Sequence, residues 1–283
     1  MPYTTLVSAQ TLQAGVKDPD WIIIDVRHDL ADLAAGRASW AAGHIPGAIF
    51  LHMDEDLSAP KTGQNGRHPL PDRAAFATKL AQLGINARSQ IVVYDAQGGM
   101  MAARLWWMLR WLGHTAVAVL DGGLPAWLAQ GAELSTEAPA NRPIGDLQLL
   151  TTAVGTVSAD EVLANLATQS RLVVDARGPD RFRGENETLD PVGGHIPGAR
   201  NRCFRDNLQA DGHFKSAEIL REEFAAVFGD TPASAVIAQC GSGVTACHNL
   251  LALEIASLPG AALYPGSWSE WCSDPARPVA TGG

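Results

Sequence analysis

The feature that most constrains the fold of this 283-residue chain is a repeat within its own sequence. Ile23-Ile24-Asp25-Val26-Arg27 returns as Val173-Val174-Asp175-Ala176-Arg177, and Val7-Ser8-Ala9 as Val157-Ser158-Ala159, both displaced by 150 positions. Gly43-His44-Ile45-Pro46-Gly47-Ala48 returns as Gly194-His195-Ile196-Pro197-Gly198-Ala199, displaced by 151, and Trp127 as Trp271, displaced by 144. The order is kept throughout. Solenoid units are about 20 to 50 residues long, so two copies of this length read instead as tandem domains, each able to own a core.

Within each copy, apolar strands alternate with helical segments. In the first half these are Trp21 to Val26, Ala74 to Leu83, Ile91 to Tyr94, Met101 to Leu112 and Val117 to Leu120. Such alternation predicts an α/β fold in which each domain is a parallel sheet flanked by helices. Pro139, Asn141, Pro143 and Gly145 mark residues 135–155 as a linker between domains at 1–134 and 156–283, with Gln148 to Thr152 as a candidate extended strand. Ser158 and Glu161 have the spacing of a capping box that opens the first helix of the second domain.

The chemistry concentrates in Gln239-Cys240-Gly241-Ser242-Gly243-Val244-Thr245-Ala246-Cys247. Ala235 to Ala238 reads as a strand, and Val244, Cys247, Leu250, Leu251 and Ile255 recur at helical spacing. Cys240 is thus predicted in a tight glycine-bearing loop at a helix N-terminus, where unpaired N–H groups can lower a thiol pKa from about 8.5 to roughly 3.5–7.5. Ligands of open α/β sheets bind beyond the carboxyl ends of the strands, where this loop falls. Cys247, two helical turns on, reads as a core residue.

Composition narrows the classes of function. With 46% hydrophobic and 18% charged residues the chain has an ordinary globular balance, and a net charge of -9 argues against nucleic acid or anionic membrane as partners. No leader-like segment or membrane-length apolar run is evident, so a cytoplasmic location is expected. The four cysteines (Cys203, Cys240, Cys247, Cys272) lack zinc spacing, and no metal or cofactor is expected. Six of the 17 arginines lie between Arg177 and Arg205 against four acids, a candidate site for a small anion. Arg27 and Arg177 each follow a strand aspartate and are assigned to structural pairing.

Together, the Asp-Val/Ala-Arg strand ends, the two Gly-His-Ile-Pro-Gly-Ala motifs and the single cysteine loop resemble the rhodanese family over nearly the whole chain. The similarity is greatest to tandem-domain sulfurtransferases, and Cys240-Gly241-Ser242-Gly243-Val244-Thr245 resembles the loop of those acting on 3-mercaptopyruvate. Thiosulfate-preferring relatives typically carry basic residues where this chain has Gly241 and Ser242. The resemblance implies a silent first domain, consistent with Asp95 standing where Cys240 stands, since a carboxylate cannot form a persulfide. It also implies a Cys240 persulfide, stabilised by the N–H groups of Gly241, Gly243, Val244, Thr245 and their neighbours, that passes sulfur to a thiol, a thioredoxin-like protein or cyanide.

For proton transfer the resemblance implies a serine, histidine and aspartate relay, carried onto Ser242, His44 and Asp32, with Asp29 an equal candidate; His44 packing beneath the Pro46 turn is the alternative. For the carboxylate of the donor it implies Arg181. A second arginine is missing where the chain reads Glu187-Thr188-Leu189-Asp190-Pro191, and Arg183 or Arg202 stand as substitutes. The donor, 3-mercaptopyruvate or thiosulfate, stays open on these grounds. Ala246 occupies the arginine position of a Cys-x5-Arg phosphatase loop, which argues against phosphate chemistry. A persulfide carrier without turnover is the remaining rival; Trp268-Ser269-Glu270-Trp271 could serve it as a partner surface, but the alignment of Trp271 with Trp127 reads that stretch as core packing.

Overall fold

Two five-stranded sheets with the same strand order account for the repeat. In the computed structural model, which describes residues 1–283, the first sheet comprises β1 (Leu6–Val7), β2 (Trp21–Asp25), β3 (Ile49–Phe50), β4 (Gln90–Tyr94) and β5 (Val117–Leu120). Its order is β1-β5-β4-β2-β3. Its helices are α1 (Ala9–Gly15), α2 (Ala35–Ala42), α3 (Arg73–Gln82), α4 (Ala102–Trp111) and α5 (Gly123–Ala129). The second sheet comprises β6 (Gly155–Thr156), β7 (Leu172–Asp175), β8 (Arg200–Asn201), β9 (Val236–Gln239) and β10 (Ala262–Leu263), ordered β6-β10-β9-β7-β8. Its helices are α6 (Ala159–Thr168), α7 (Pro179–Arg183), α8 (Ala217–Phe228), α9 (Thr245–Ile255) and α10 (Ser267–Trp271).

Every strand pair in both sheets is parallel, and β4 and β9 are the central strands. Both are buried along their whole length, as a strand covered by helices on two faces must be. The burial of these strands explains why their apolar runs do not alternate. α9 follows suit: Ala246 to Leu253 are all buried, apolar apart from His248 and Asn249, which hydrogen-bond to Asn207. The capping box of α6 is present, with Ser158 Oγ accepting from the Glu161 N–H and Glu161 Oε2 accepting from the Ser158 N–H.

Each copy pins the end of its first long strand to its Gly-His-Ile-Pro-Gly turn by a buried ion pair. Arg27 pairs with Asp25 and donates from Nη2 to the Gly43 carbonyl at 2.8 Å; Arg177 pairs with Asp175 and donates to the Gly194 carbonyl at 2.7 Å. Such a pair adds little net stability over an apolar substitute, but breaking it strands a buried charge. Trp268 and Trp271 are fully buried, their indole N–H groups donating to the carbonyls of Val192 and Pro278. That stretch is core, not a partner surface.

The two compact units exchange short segments. Met1–Ser58, Pro71–Ala153 and Ala210–Phe214 form one, and Ala59–Leu70, Val154–Gln209 and Lys215–Gly283 the other. Residues 135–153, expected as a linker, are packed against the first unit. Gly145, Leu147 and Leu150 donate to the carbonyls of Ala81, Ile85 and Leu112, without forming the strand anticipated at 148–152. No helix is long and apolar enough to cross a membrane.

His114, beneath this strap, is buried with Nε2 2.9 Å from the Ser89 carbonyl. Burial disfavours its imidazolium and lowers its pKa from the ordinary 6.5, against the opposing pull of backbone hydrogen bonds at Ser89 and Ala116. The unfolded chain then binds this proton more readily than the folded one. Its contribution to stability is full above about 6.5 and is lost as pH falls towards the lowered folded value. The urea midpoint is therefore expected to drop more between pH 7.5 and 5.5 in the wild type than in His114→Gln. Equal slopes would assign the dependence to other groups.

Candidate active site

The loop that leaves the central strand is best seen first in the copy that lacks the cysteine. At the end of β4, Asp95 Oδ1 accepts from the N–H groups of Gln97 and Gly99 at 2.8 and 2.9 Å, and Oδ2 from those of Met101 and Ala102 at 2.7 and 2.9 Å. Four backbone donors thus converge on one carboxylate at the start of α4, an anion nest of the kind a strand-to-helix turn produces. In the second copy Cys240 takes that place after β9. The two loops are anchored alike: Leu124 N–H donates to the Asp95 carbonyl at 2.8 Å, and Trp268 N–H to the Cys240 carbonyl at 2.9 Å.

Cys240 is buried, and its N–H donates to Ser267 Oγ at 3.1 Å. Gly243 has φ +75 and lies so close to Pro265 that an added Cβ would stand 2.3 Å from its carbonyl oxygen. No other residue fits there without moving the loop. Val244 is the N-cap of α9 and Thr245 its first residue, so both shape the loop through their backbone. Ser242 Oγ lies 2.8 Å from Nδ1 of His68, both residues being buried. A β-carbon on Gly241 would meet Arg67 Nη2 at 2.7 Å and both terminal nitrogens of Arg181 at 3.6 Å, so two guanidinium groups crowd the residue that follows the cysteine.

This arrangement has close relatives. A rhodanese-like domain model matches twice, at residues 8–130 and 158–274. The chain belongs to the rhodanese-like family. It is 47% identical over the full length of both chains to a Pseudomonas aeruginosa protein named "Probable 3-mercaptopyruvate sulfurtransferase". It is 35% identical to the thiosulfate sulfurtransferase of Bos taurus, over 95% of this chain and 92% of that one. Among solved structures it is similar to SseA from Escherichia coli, described as a 3-mercaptopyruvate sulfotransferase, with TM-score 0.80, 33% identity, and 94% of this chain and 99% of that one covered.

In this rhodanese-like chain His44 is not the partner of Ser242. Its ring stacks on Trp40 at 4.5 Å, with Nδ1 2.8 Å from the Trp40 carbonyl and Nε2 3.0 Å from that of Glu137. His195 repeats the arrangement, stacked on Phe182 at 3.8 Å with Nδ1 2.8 Å from the Phe182 carbonyl. A role common to both copies, one without a nucleophile, is packing beneath the turn. Asp32 and Asp29 are exposed and accept from the N–H groups of Ala34 and Ala31 in local turns, so neither is the acid of a His44 pair. Arg183 is tied to Glu185, and Arg202 is buried against Glu223 and Phe224; neither substitutes for an arginine at the loop.

No sequence motif marks Arg67 and His68. A signal was present in the repeat itself. Gly43 and Gly194 are 151 apart, whereas the helix N-caps Asp72 and Ser216 are 144 apart, so the first copy carries seven more residues between them. That longer stretch holds Ala59–Leu70, the segment that joins the second unit.

Other thiols are poor competitors for Cys240. Burial pushes Cys203 upward and Cys272 to about 11, leaving the Cys272 thiol protonated at neutral pH. Cys247 is in the core, its Sγ 3.3 Å from the Gly243 carbonyl. His28, His52 and Asp54 bring three potential ligand atoms within 4.8 Å. His52 already uses Nε2 on the Leu33 carbonyl and Nδ1 on the N–H groups of Asp54 and Glu55, a poor starting point for a metal.

The Asp95 carboxylate, with its four backbone donors, is expected to stabilise the fold. Asp95→Ala would leave four donors without their acceptor, and a loss of about 3 kcal/mol or more in unfolding free energy is expected by urea titration. A loss below about 1 kcal/mol would show that water or loop movement satisfies them.

Proposed function

We propose that the protein is a sulfurtransferase that moves sulfur from 3-mercaptopyruvate to a thiol or cyanide acceptor through a persulfide on Cys240. The observation that carries the choice of donor is the 2.8 Å contact between Ser242 Oγ and His68 Nδ1 one residue beyond Gly241. A mercapto acid arrives with a proton on its sulfur that must leave, whereas the terminal sulfur of thiosulfate carries none. A serine backed by a histidine serves the first donor and is idle for the second.

The Cys240 thiolate attacks the donor sulfur, the new S–S bond forms, and the C–S bond breaks with its electron pair passing to C3. The proton from sulfur, relayed by Ser242 and His68, ends on that carbon, giving pyruvate and Cys240 persulfide. The cradle that holds the Asp95 carboxylate in the other copy supports the reading that the N–H groups of the Cys240 loop stabilise the persulfide anion. Attack by cyanide or a thiolate on the outer sulfur then releases thiocyanate or a new persulfide and restores the Cys240 thiolate. No metal or organic cofactor is needed for this sequence.

Cys240→Ser is expected to abolish turnover and the gain of one sulfur atom seen by intact mass after incubation with donor. Ser242→Ala and His68→Gln should lower the rate of loading from 3-mercaptopyruvate by about a hundredfold while changing loading from thiosulfate less than about threefold. Equal losses with both donors would overturn the relay. Absence of Cys240-dependent turnover with either donor would favour a persulfide carrier loaded by a protein.

A further inference from the structure

The two copies differ at the amino end of their first long strand. At the 150-residue displacement Trp21 corresponds to Arg171 and Gly15 to Asn165; at the 151-residue displacement Ile49 corresponds to Arg200. In the first copy this corner is packed. The Trp21 ring lies so close to Gly15 that an added Cβ would stand 3.0 Å from it, and the Tyr3 ring meets it edge-on at 5.8 Å between centroids. In the second copy the same corner is a cavity of about 370 Å³ between the end of α6, the start of β7, the Pro197-Gly198 turn and Thr231. Arg171 and Arg200 line it together with Gln169, Ser170 and Thr231, and no residue of the lining is acidic or aromatic.

The arginines are held in place by neutral groups. Asn165, which is buried, donates from Nδ2 to the Arg171 carbonyl at 2.8 Å and accepts the Arg171 N–H on Oδ1 at 2.9 Å. Gln169 takes the left-handed conformation at φ 48, rare for a residue other than glycine, and turns the chain from α6 towards Arg171. Arg171 Nη2 donates to the Val236 carbonyl at 3.1 Å, and Arg200 Nη1 to the Val227 carbonyl. A guanidinium has five donors in a planar fork, so each keeps most of its fork for a ligand once a carbonyl has fixed one edge. Burial lowers the pKa of Arg171 from the ordinary arginine value, opposed only by the charge of Glu161. On a chain of net charge -9, a hollow with two cations and no acid in its lining favours an anion.

We propose that this cavity is a second ligand site, for a small organic anion with two or more acidic groups, carboxylate or phosphate, whose oxygens match the guanidinium fork. Arg200 is registered with Val174, three residues beyond Arg171 along the chain. At a rise of about 3.3 Å per residue the two anchor points stand about 10 Å apart along the strand direction. Cations on anchors so spaced address two acidic groups of one molecule better than one inorganic ion. The volume lies at the small end of ligand cavities, which run from about 300 to 1,000 Å³. Arg171 precedes β7, whereas Cys240 follows the parallel neighbour β9, so the cavity and the cysteine loop lie at opposite ends of the sheet. The proposal is therefore independent of the sulfur-transfer reading.

The test is calorimetry on the full chain with citrate, succinate, 3-phosphoglycerate and inorganic phosphate. At least one of the three organic anions should bind saturably with Kd below about 1 mM. Arg171→Met and Arg200→Met should each weaken that binding by about tenfold or more, and Arg171→Lys by less. Both should leave the loading of Cys240 within about twofold of wild type, which also reports that each variant is folded. The double variant Arg171→Trp with Arg200→Ile, which carries the first-copy side chains, should abolish binding. Tighter binding of citrate or succinate would assign the site to carboxylates, and tighter binding of 3-phosphoglycerate to phosphate esters. Inorganic phosphate binding as tightly as the organic anions would overturn the two-group ligand. Binding that survives the double variant but is lost in Arg181→Met would place the anion at the cysteine loop and overturn the site. No saturable binding of any of the four would overturn it as well.

Discussion

The rest of the structure is arranged around a short run of backbone N–H groups that curl about one point at the carboxyl end of a central strand. Glycine conformations open the turn, and the helix that follows adds its own unpaired donors. In one copy the point is taken by the Asp95 carboxylate, which accepts four of them. In the other a thiol stands there. The corresponding positions at the ends of the two central strands thus hold a carboxylate in one copy and a thiol in the other. β4 and β9 are buried on both faces, which explains why their apolar runs do not alternate with polar residues.

Duplication separates packing devices from chemical ones. The Asp25–Arg27 and Asp175–Arg177 pairs, and the stacked His44 and His195, occur in both copies with matching partners. Their presence beside Asp95 shows that they secure the Gly-His-Ile-Pro-Gly turn whether or not a nucleophile is near. Arg177 is additionally drawn into the second copy's electrostatics. Burial opposes its charge, but Asp175, Glu187 and Cys240 more than compensate and hold its pKa above the ordinary arginine value. What occurs once is the cysteine, the serine beside it and the segment that brings Arg67 and His68.

The charge arrangement also follows from burial. Arg181 and Arg67 lie among acids that a residue count would treat as cancelling them. Depth decides otherwise, because Glu187 and Asp190 are buried while the guanidinium groups keep a solvent face. A cluster that is nearly neutral by composition therefore presents its positive side outward.

The two-copy α/β architecture, the cysteine loop, the aspartate at the matching place in the first copy and the pairing of Arg27 and Arg177 are all legible in the sequence alone. Each is written in a local pattern: apolar runs, glycine spacing, and an aspartate two residues before an arginine. The tertiary structure alone decided that His68, not His44, meets Ser242, that Arg67 reaches Gly241, and that Arg183 and Arg202 do not. The Ser242–His68 and Arg67–Ser269 contacts span 174 and 202 positions. No periodicity or motif spacing extends that far. Such contacts depend on which segment the fold carries to the end of β9, and the only local trace is a longer connection between β3 and α3 in the first copy.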